Sequence, residues 1–390
     1  MHNTPAAPLT LFDTDPSTTT NPWSRARTAP GTRGFTGYTA TDCFAGAGGS
    51  TTGLCQAGIR VVIAANHWAT AIRTHRDNHP EVEHVQANLS ETDFRTFPRT
   101  DIAWFSPSCV WHARSGGRKK PPAEVERLRA DEGSIDRATA FAVVAATEVH
   151  RYEVVVVENV PEFLDWTLFR WWLDGMTIQG YKHQIVLLDS ADIGPVPVAQ
   201  RRKRAYILFT RTDALDIDLT IDPVPRTPAS AILLPDRGKL VTRRMYVTPQ
   251  FEEITEPDVP HLVTYRNHAH ARRADQHQLA TITAGGNHHA VATIDQNGRV
   301  YHRWLTNLER ARAQGFPDHY RFRGGHRVVN GKRIDEIRTQ IGNAVSVNVA
   351  RWLGCRITAA LDTTKPVHYD DATNKLLVEP AVPATQPQPV

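Results

Sequence analysis

The sequence predicts an α/β fold: a doubly wound, mostly parallel sheet with a second, smaller and irregular domain. Through the first half of the chain, short β-rich runs alternate with helical stretches. The apolar run 154–157 is unbroken, as expected for a strand buried on both faces. After about residue 211 the pattern changes to prolines, turns and scattered histidines. The first two features are typical of βαβ units, and the third indicates a separate domain.

The predicted elements follow one another in that order. Strands are expected near residues 38–44 and at 59–65, 101–105, 154–157 and 206–210, and helices near 50–57 and at 69–78 and 135–150. Further along, β-like pieces occur at 279–283 and 290–294, and helical patterns return at 306–314 and within 339–360. We therefore predict a first domain at 36–211, a second at 212–299, and a return to the first at 300–365.

Composition limits the possible classes of protein. The chain has 390 residues, of which 41% are hydrophobic, enough for a substantial core. Residues 1–35 and 366–390 are poor in core-forming side chains and are predicted to be disordered tails. The net charge of +4 permits contact with nucleic acid without indicating a purely electrostatic binder. No apolar run approaches the roughly 20 residues that a membrane span needs, so we expect no membrane segment.

Cysteine usage indicates a reducing compartment. The four cysteines, Cys43, Cys55, Cys109 and Cys355, form no C-x-x-C pair, which argues against a disulfide framework or a cysteine-based zinc site. The N-terminus lacks the charged-then-apolar order of a secretory signal. We expect a cytoplasmic protein.

A glycine-rich turn follows the first predicted strand. Asp42 to Gly49 reads D-C-F-A-G-A-G-G and is followed by a predicted helix. Glycines at such a turn let the backbone approach a nucleotide near the helix N-terminus, although the turn could equally be only structural. The spacing G-x-G-G differs from the dinucleotide pattern G-x-G-x-x-G. Phe44 is an unusual residue to expose there unless it stacks on a flat ring.

A cysteine lies at the end of the third strand of the predicted sheet. Ser106-Pro107-Ser108-Cys109 leads into a glycine-containing basic stretch with Arg114 and Lys119. The carboxyl ends of strands are where doubly wound sheets carry active sites. A lone cysteine is more often a small buried hydrophobe, but this setting makes a reactive thiol about equally plausible.

Polar side chains also flank the later strands. Glu158 follows the apolar run 154–157, where partial desolvation would raise the pKa of its carboxyl group; the alternative is a helix N-cap. In an extended segment, Gln200, Arg202 and Arg204 project to one face. Their amide and guanidinium groups suit phosphate and carboxylate partners.

Taken together, these blocks resemble the bacterial and phage DNA cytosine-5 methyltransferase family. The family's motifs occur here in order: Phe44-x-Gly-x-Gly-Gly, Pro107-Ser-Cys, Glu158-Asn-Val, Gln200-x-Arg-x-Arg, Leu305-Thr with Glu309 and Gly315-Phe-Pro, and Gly342-Asn-Ala-Val. The resemblance covers about residues 39–360. It departs from the family at Ser108, where a proline is usual, and at Asn66 and Asn88, where acidic residues are usual.

The resemblance implies a Rossmann-like methyltransferase fold, S-adenosyl-L-methionine as cofactor, and a target-recognition domain at 212–299. The implied catalytic residues are Cys109, Glu158, Arg202 and Arg204. The implied cofactor-binding residues are Phe44, Gly46, Gly48, Gly49, Asn66, Asn88, Pro107 and Asn343. The implied DNA-binding residues are Arg114, Lys119, Gln200 and Arg202. The cysteine would attack C6 of a flipped-out cytosine, with Glu158 holding a proton at N3.

Two other functions fit some of these features. An RNA cytosine-5 methyltransferase would carry the same catalytic residues, and a catalytically lapsed DNA-binding regulator would explain Asn66 and Asn88. The retained thiol, carboxylate and guanidinium argue against the second. Six histidines lie between His261 and His289, but no acidic or cysteine set accompanies them at ligand spacing, so no metal is expected. We expect a monomer that acts on double-stranded DNA.

Overall fold

The computed structural model describes residues 35–108, 139–211, 215–285, 287–329, 331–362, 367–370 and 375–378. Among these, the main sheet has seven strands. They are β1 (Thr39–Cys43), β2 (Arg60–Asn66), β3 (Glu83–Gln86), β4 (Ile102–Phe105), β5 (Val154–Asn159), β6 (Lys182–Asp189) and β7 (Lys203–Thr210). Their spatial order is β3-β2-β1-β4-β5-β7-β6.

The sheet is mostly parallel. Five adjacent strands pair in parallel, namely β3, β2, β1, β4 and β5. Strand β7 runs antiparallel to both of its neighbours, β5 and β6. The chain passes from β1 outward to β2 and β3 and then crosses to β4 on the other side, so the winding reverses between β1 and β4. The predicted doubly wound α/β fold is confirmed.

Helices cover both faces of this sheet: α1 (Gly49–Gln56), α2 (Ala69–Asn78), α3 (Phe141–His150) and α4 (Phe169–Ile178). The valines of β5 alternate between two hydrophobic cores, as the two-residue period of a strand requires. Val154 and Val156 join the core that also contains Leu54 of α1. Val155 and Val157 join the opposite core, with Trp172 of α4.

A second sheet is antiparallel throughout. It contains β8 (Lys239–Leu240), β9 (His261–Thr264), β10 (Arg272–Arg273), β11 (His289–Ile294) and β12 (Val300–Trp304) in the order β10-β9-β11-β12-β8, and the short helix α5 (Thr248–Glu252) precedes β9. The strand predicted at 290–294 is present as β11. The segment 279–283 instead forms an isolated bridge, between Leu279 and Gln200. The sheet runs to Trp304, beyond residue 299, and the domain limits stay a prediction.

The last part of the chain returns to the main sheet. It comprises α6 (Asn307–Ala313), the hairpin β13 (His326–Val329) and β14 (Lys332–Asp335), α7 (Glu336–Asn343), α8 (Val347–Leu361), and the paired strands β15 (Val367–Asp370) and β16 (Lys375–Val378). The last pair lies in the segment predicted to be a tail. The stretch 339–360 is two helices, separated by Ala344, Val345 and Ser346. No helix within the described ranges is long and apolar enough to cross a membrane.

Helix α8 packs directly on α1, because glycines let the two backbones approach. A Cβ atom at Gly49 would overlap the carbonyl group of Val345. One at Gly53 would come within 2.5 Å of the Ala350 Cβ and of the Val347 carbonyl oxygen. The first helix of the fold is therefore fixed in place by the last long one.

Candidate active site

The carboxyl ends of β1, β4 and β5 form one edge of the main sheet. Cys43 is paired with Phe105, and Phe105 with Val157, so the next residues along each strand are neighbours. These residues are Phe44, Ser106 and Glu158. Because the winding reverses between β1 and β4, this edge is where a doubly wound sheet binds its ligands.

The glycine-rich turn has an unusual backbone. Phe44, Gly46 and Gly48 all have positive φ, at 60°, 55° and 93°. The Phe44 side chain is half-buried, so part of its ring is available to a ligand. A Cβ at Gly46 would have no neighbour closer than 4.0 Å, whereas one at Gly48 would meet the Tyr320 hydroxyl at 2.6 Å. The glycines thus serve two needs: open space beside the turn and close packing beneath it.

A buried carboxylate holds this turn to α1. Asp42 is fully buried and accepts hydrogen bonds from the Ser50 and Thr51 hydroxyls, both at 2.6 Å. Burial raises the pKa of Asp42 to about 6, against the lowering effect of the two hydroxyl donors. The other carboxylate oxygen, Oδ1, is buried without a hydrogen-bond partner. Asp42 therefore supports the turn, but burying its charge lowers the free energy of unfolding.

Two histidines continue this network, and the sequence analysis did not single them out. His75 Nε2 lies 2.9 Å from Thr51 Oγ1, and His75 Nδ1 lies 2.8 Å from His84 Nε2. Burial lowers the pKa of His75 well below its usual value, so the ring is neutral. Since the Thr51 proton points to Asp42, the His75 proton is on Nε2, and His84 donates to Nδ1. The ring of His75 also lies against Gly48.

The asparagines predicted to hold the cofactor differ in their surroundings. Asn66 ends β2 and is buried, and its Oδ1 accepts a 2.9 Å hydrogen bond from the Trp68 N–H. Asn88 is exposed, and its Nδ2 donates to Glu91 at 2.8 Å. Asn343 is exposed at the end of α7. Their cofactor contacts stay predictions.

The segment before Cys109 is fixed by two contacts. Asn159 Nδ2 donates to the Pro107 carbonyl at 3.3 Å, which ties the end of β5 to the end of β4. The Ser108 N–H donates to Thr139 Oγ1 at 3.2 Å, so residues 108 and 139 are neighbours in space. Cys109, Arg114 and Lys119 lie outside the described residues.

Glu158 and Arg204 form an ion pair at this edge. Arg204 Nε lies 3.3 Å from Glu158 Oε1, and both side chains are largely buried. Burial raises the pKa of Glu158, although the positive charges of Arg204 and Arg202 oppose the effect. The carboxyl group can therefore hold a proton closer to neutral pH than an exposed glutamate can. Sequence reasoning anticipated both the position and the direction of this shift.

Gln200 and Arg202 point into the protein. Gln200 is fully buried; its amide donates to the Ala313 carbonyl at 3.0 Å and accepts from the Ile282 N–H at 2.6 Å. The Arg202 guanidinium is buried and donates to the carbonyl oxygens of Ile282 (3.1 Å), Gly342 (3.1 Å) and Ala344 (3.0 Å). Gln200 thus joins the start of β7 to α6, and Arg202 joins it to the C-terminal end of α7. A DNA contact by either residue stays a prediction.

The late motif, residues 303–317 with Leu305-Thr306, Glu309 and Gly315-Phe316-Pro317, also forms a buried junction. Arg303 in β12 binds both carboxylate oxygens of Glu309 in α6, at 2.7 and 2.8 Å, and Glu309 is fully buried. Glu309 also completes a capping box with Thr306 at the start of α6. The motif therefore fixes the second sheet to the helix that follows it.

One group of potential metal ligands occurs within the described ranges. Side-chain atoms of Cys55, His79 and Glu81 lie within 4.8 Å of one another. None of these residues belongs to the histidine-rich segment 261–289. The sequence-based expectation of no metal stays a prediction.

Comparison with known proteins identifies the family. The family model of C-5 cytosine-specific DNA methylases matches residues 38–359. The type II methyltransferase M.HgiDI of Herpetosiphon aurantiacus is 27% identical over 337 residues, covering 82% of this chain and 94% of that protein. M.MthTI of Methanothermobacter thermautotrophicus is 25% identical over 356 residues, covering 82% and 96%. Among solved structures, the Entamoeba histolytica methyltransferase EhMeth superposes with a TM-score of 0.59 at 13% identity, covering 84% of this chain and 98% of that one. The chain therefore belongs to the C-5 cytosine-specific DNA methylase family, whose members transfer a methyl group from S-adenosyl-L-methionine to C5 of cytosine.

Proposed function

We propose that this protein methylates a flipped-out cytosine in double-stranded DNA, with Cys109 as nucleophile and Glu158 as the acid that acts on the base. The observation that carries the proposal is the Glu158 carboxyl group. It is buried, has a raised pKa, and lies 3.3 Å from Arg204 at the carboxyl edge of the sheet. The strand end beside it, Pro107 and Ser108, leads directly to Cys109.

The chemistry requires these two groups together. C5 of cytosine is a weak nucleophile, so the Cys109 thiolate first adds to C6 and moves electron density toward C5. A proton held by Glu158 at N3 stabilises the negative charge that develops in the ring. After C5 takes the methyl group, it loses its own proton, and the C6–S bond breaks to release the thiolate. Arg204 orients the Glu158 carboxyl group, and the cytosine must leave the stack because C6 is shielded in a duplex.

The residues around the glycine-rich turn suit the cofactor. S-adenosyl-L-methionine supplies the methyl group when it is bound. Phe44 offers a half-buried aromatic ring, and Gly46 has open space where a side chain would point. Asn66 lies at the adjacent end of β2, and α1 begins directly after the turn. We propose that Phe44, Gly46, Asn66, Asn88 and Asn343 hold the cofactor, with Pro107 beside it, and that Gly48 and Gly49 shape the turn.

Two regions of the chain are proposed to contact the DNA. We propose that residues 212–299 form the target-recognition domain and that Arg114 and Lys119 bind phosphate groups. Exchanging this segment for that of a relative should change the methylated sequence and leave the reaction unchanged. A folded chimaera that keeps the original target would move specificity elsewhere. Gln200 and Arg202 are proposed as positioning residues, since their polar groups already bind protein atoms.

A mechanism-based trap tests the catalytic assignment. A duplex with 5-fluorocytosine at the target position should become covalently attached, because fluorine cannot leave C5 as a proton does. The adduct should require S-adenosyl-L-methionine, survive denaturing electrophoresis, and disappear in Cys109→Ser, since a hydroxyl is far less ionised than a thiol. Glu158→Gln should slow adduct formation strongly while DNA binding remains. An adduct that persists in Cys109→Ser would exclude this nucleophile.

A methyl-transfer assay distinguishes the alternative functions. Methyl transfer is compared on duplex DNA, single-stranded DNA and transfer RNA of matched concentration. Transfer confined to RNA would contradict the DNA substrate, and binding without transfer on any substrate would indicate a regulator. Bisulfite sequencing of DNA from cells that express the protein then reports the target sequence.

A further inference from the structure

A cluster of positive charge lies between α6, α7 and the segment 287–288, apart from the Glu158 pair. Arg310 is 5% exposed, so its guanidinium is almost completely removed from solvent. Its Nη1 donates to Asn307 Oδ1 at 3.2 Å, and its Nη2 donates to Asn287 Oδ1. Both partners are neutral amides. A buried guanidinium normally pairs with a carboxylate, and this one does not.

Arg338, in the first turn of α7, adds a second charge. Its side chain is half-buried, and its Nε is buried without a hydrogen-bond partner. Within the described ranges, no carboxylate oxygen lies within 4 Å of the guanidinium of Arg310 or of Arg338. The nearby acids have other roles. Glu309 binds Arg303 with both oxygens, and Asp335 caps α7 through the Ile337 and Arg338 N–H groups.

The charges in this cluster act on one another. Burial and the positive charge of Arg338 lower the pKa of Arg310 to about 10, against the opposing effect of Asp335 and Glu309. After burial, the charges of Arg266 and then Arg338 lower the pKa of His288. The positive charges of Arg310 and Arg338 therefore repel each other, although the Asp335 and Glu309 carboxylates oppose this effect.

The cluster is connected to the catalytic edge by direct contacts. Gly342, at the end of the helix that carries Arg338, packs so closely on Thr283 and Ala284 that a side chain would not fit. The Gly342 carbonyl accepts a hydrogen bond from Arg202, two residues before Arg204, the partner of Glu158. The helix that carries Arg338 is thus linked, through Gly342 and Arg202, to the segment that carries Arg204.

We propose that Arg338 and Arg266, supported by the charge of the buried Arg310, bind a phosphodiester group of the DNA substrate. This inference rests on the proposed function and names one further contact of the same substrate. Guanidinium groups suit phosphate because they offer several N–H donors in a planar fork, and a half-buried one such as Arg338 loses little hydration on binding. Such a contact fixes the register of the DNA and does not read its sequence.

The salt dependence of DNA binding tests the site. Fluorescence anisotropy with an unmodified target duplex is recorded over a range of salt concentrations for the wild type, Arg338→Gln and Arg338→Lys. Arg338→Gln should weaken binding about tenfold and reduce the slope of log K against log salt by about 1. The loss should be equal for target and non-target sequences. Arg338→Lys keeps the charge and should recover most of the slope.

Two further variants complete the design. Arg266→Gln alters an exposed position of the same cluster and should also lower the slope, which keeps the test informative if the buried positions tolerate change poorly. Arg356→Gln is the matched control, because Arg356, on α8, is already paired with Asp218 and Asp222. It should leave the slope unchanged. Affinity for S-adenosyl-L-methionine is measured for each variant by calorimetry.

The outcomes separate this inference from the proposed function. An unchanged slope in both Arg338→Gln and Arg266→Gln, with a wild type that forms the 5-fluorocytosine adduct, overturns the phosphate site alone. Loss of cofactor affinity without loss of DNA affinity also overturns it, since the anion would then be the cofactor carboxylate. A wild-type protein that neither binds nor methylates DNA would overturn both.

Discussion

The buried Asp42 carboxylate makes a specific prediction about stability and pH. Burial raises its pKa from 3.8 in the unfolded chain to about 6 in the folded protein. A carboxyl group whose pKa is raised by folding is more easily protonated in the native state, so ionisation destabilises that state. The penalty is absent below about pH 4, grows as the pH rises through the interval between the two values, and is complete above about pH 6. Asp42→Asn removes the ionisation and with it the penalty.

The magnitude follows from the two pKa values. A difference of about two pH units corresponds to roughly 3 kcal/mol at 1.36 kcal/mol per unit. About 2 kcal/mol of this falls between pH 4.5 and pH 7.5. The variant also introduces a buried amide N–H group that has no acceptor, at a cost of about 1–3 kcal/mol that does not depend on pH. The change with pH in the stability difference between variant and wild type therefore reports the ionisation of Asp42 alone. The difference at any one pH also contains this constant cost.

Urea unfolding of both proteins at about pH 4.5 and about pH 7.5 measures this quantity. The free energy of unfolding of Asp42→Asn, relative to wild type, should increase by roughly 2 kcal/mol between them. Asp335→Asn is the control: burial raises the Asp335 pKa, but hydrogen bonds, first from the Arg338 N–H, lower it overall. A lowered pKa changes stability only below about pH 4, so that variant should lose nearly the same stability at both pH values. A difference between Asp42→Asn and wild type that does not change with pH would refute the reasoning.

Three further predictions concern the cofactor, the helix packing and the late motif. Phe44→Ala should weaken S-adenosyl-L-methionine binding with the fold intact; unchanged affinity by calorimetry would remove this ring from the site. Gly53→Ala should cost about 1–3 kcal/mol in chemical denaturation, because the new methyl group would meet Ala350 at 2.5 Å, and wild-type stability would disprove the tight packing. Glu309→Gln leaves the buried Arg303 charge without its carboxylate and should cost about 3–5 kcal/mol, measured as a lower denaturation midpoint. A cost below about 1 kcal/mol would show that the pair is solvated.

Local sequence patterns predicted much of the main sheet. The apolar run 154–157 identified β5, and the helical pattern at 69–78 matches α2 to the residue. Strand β6 was missed although it contains the continuous apolar run 185–188, and within that run the Ile185 and Leu187 side chains are exposed. β6 lies at the edge of the sheet, where such exposure is ordinary.

The residues of the candidate site likewise differ in how well the local sequence could predict them. Glu158 could be anticipated because its environment follows from the strand that precedes it. The partners of Arg202 lie 80 to 142 residues away, and no local pattern shows that three carbonyl groups meet its guanidinium. The Arg310 and Arg338 cluster likewise arises only when α6 and α7 come together. Long-range polar contacts are therefore the part of the site that required a structure.

The packing of α8 on α1 also sets the order in which the protein becomes competent during synthesis. The Tyr320 hydroxyl donates to the Ala47 carbonyl in the glycine-rich turn, across 273 residues of chain. At ribosomal rates of about 5–20 residues per second, this contact arrives roughly 15–55 s after the turn itself. The helix that covers Gly49 and Gly53 emerges later still. A nascent chain therefore carries Glu158 and Arg204 long before the turn is supported from below, and methyl transfer should begin only once translation is almost finished.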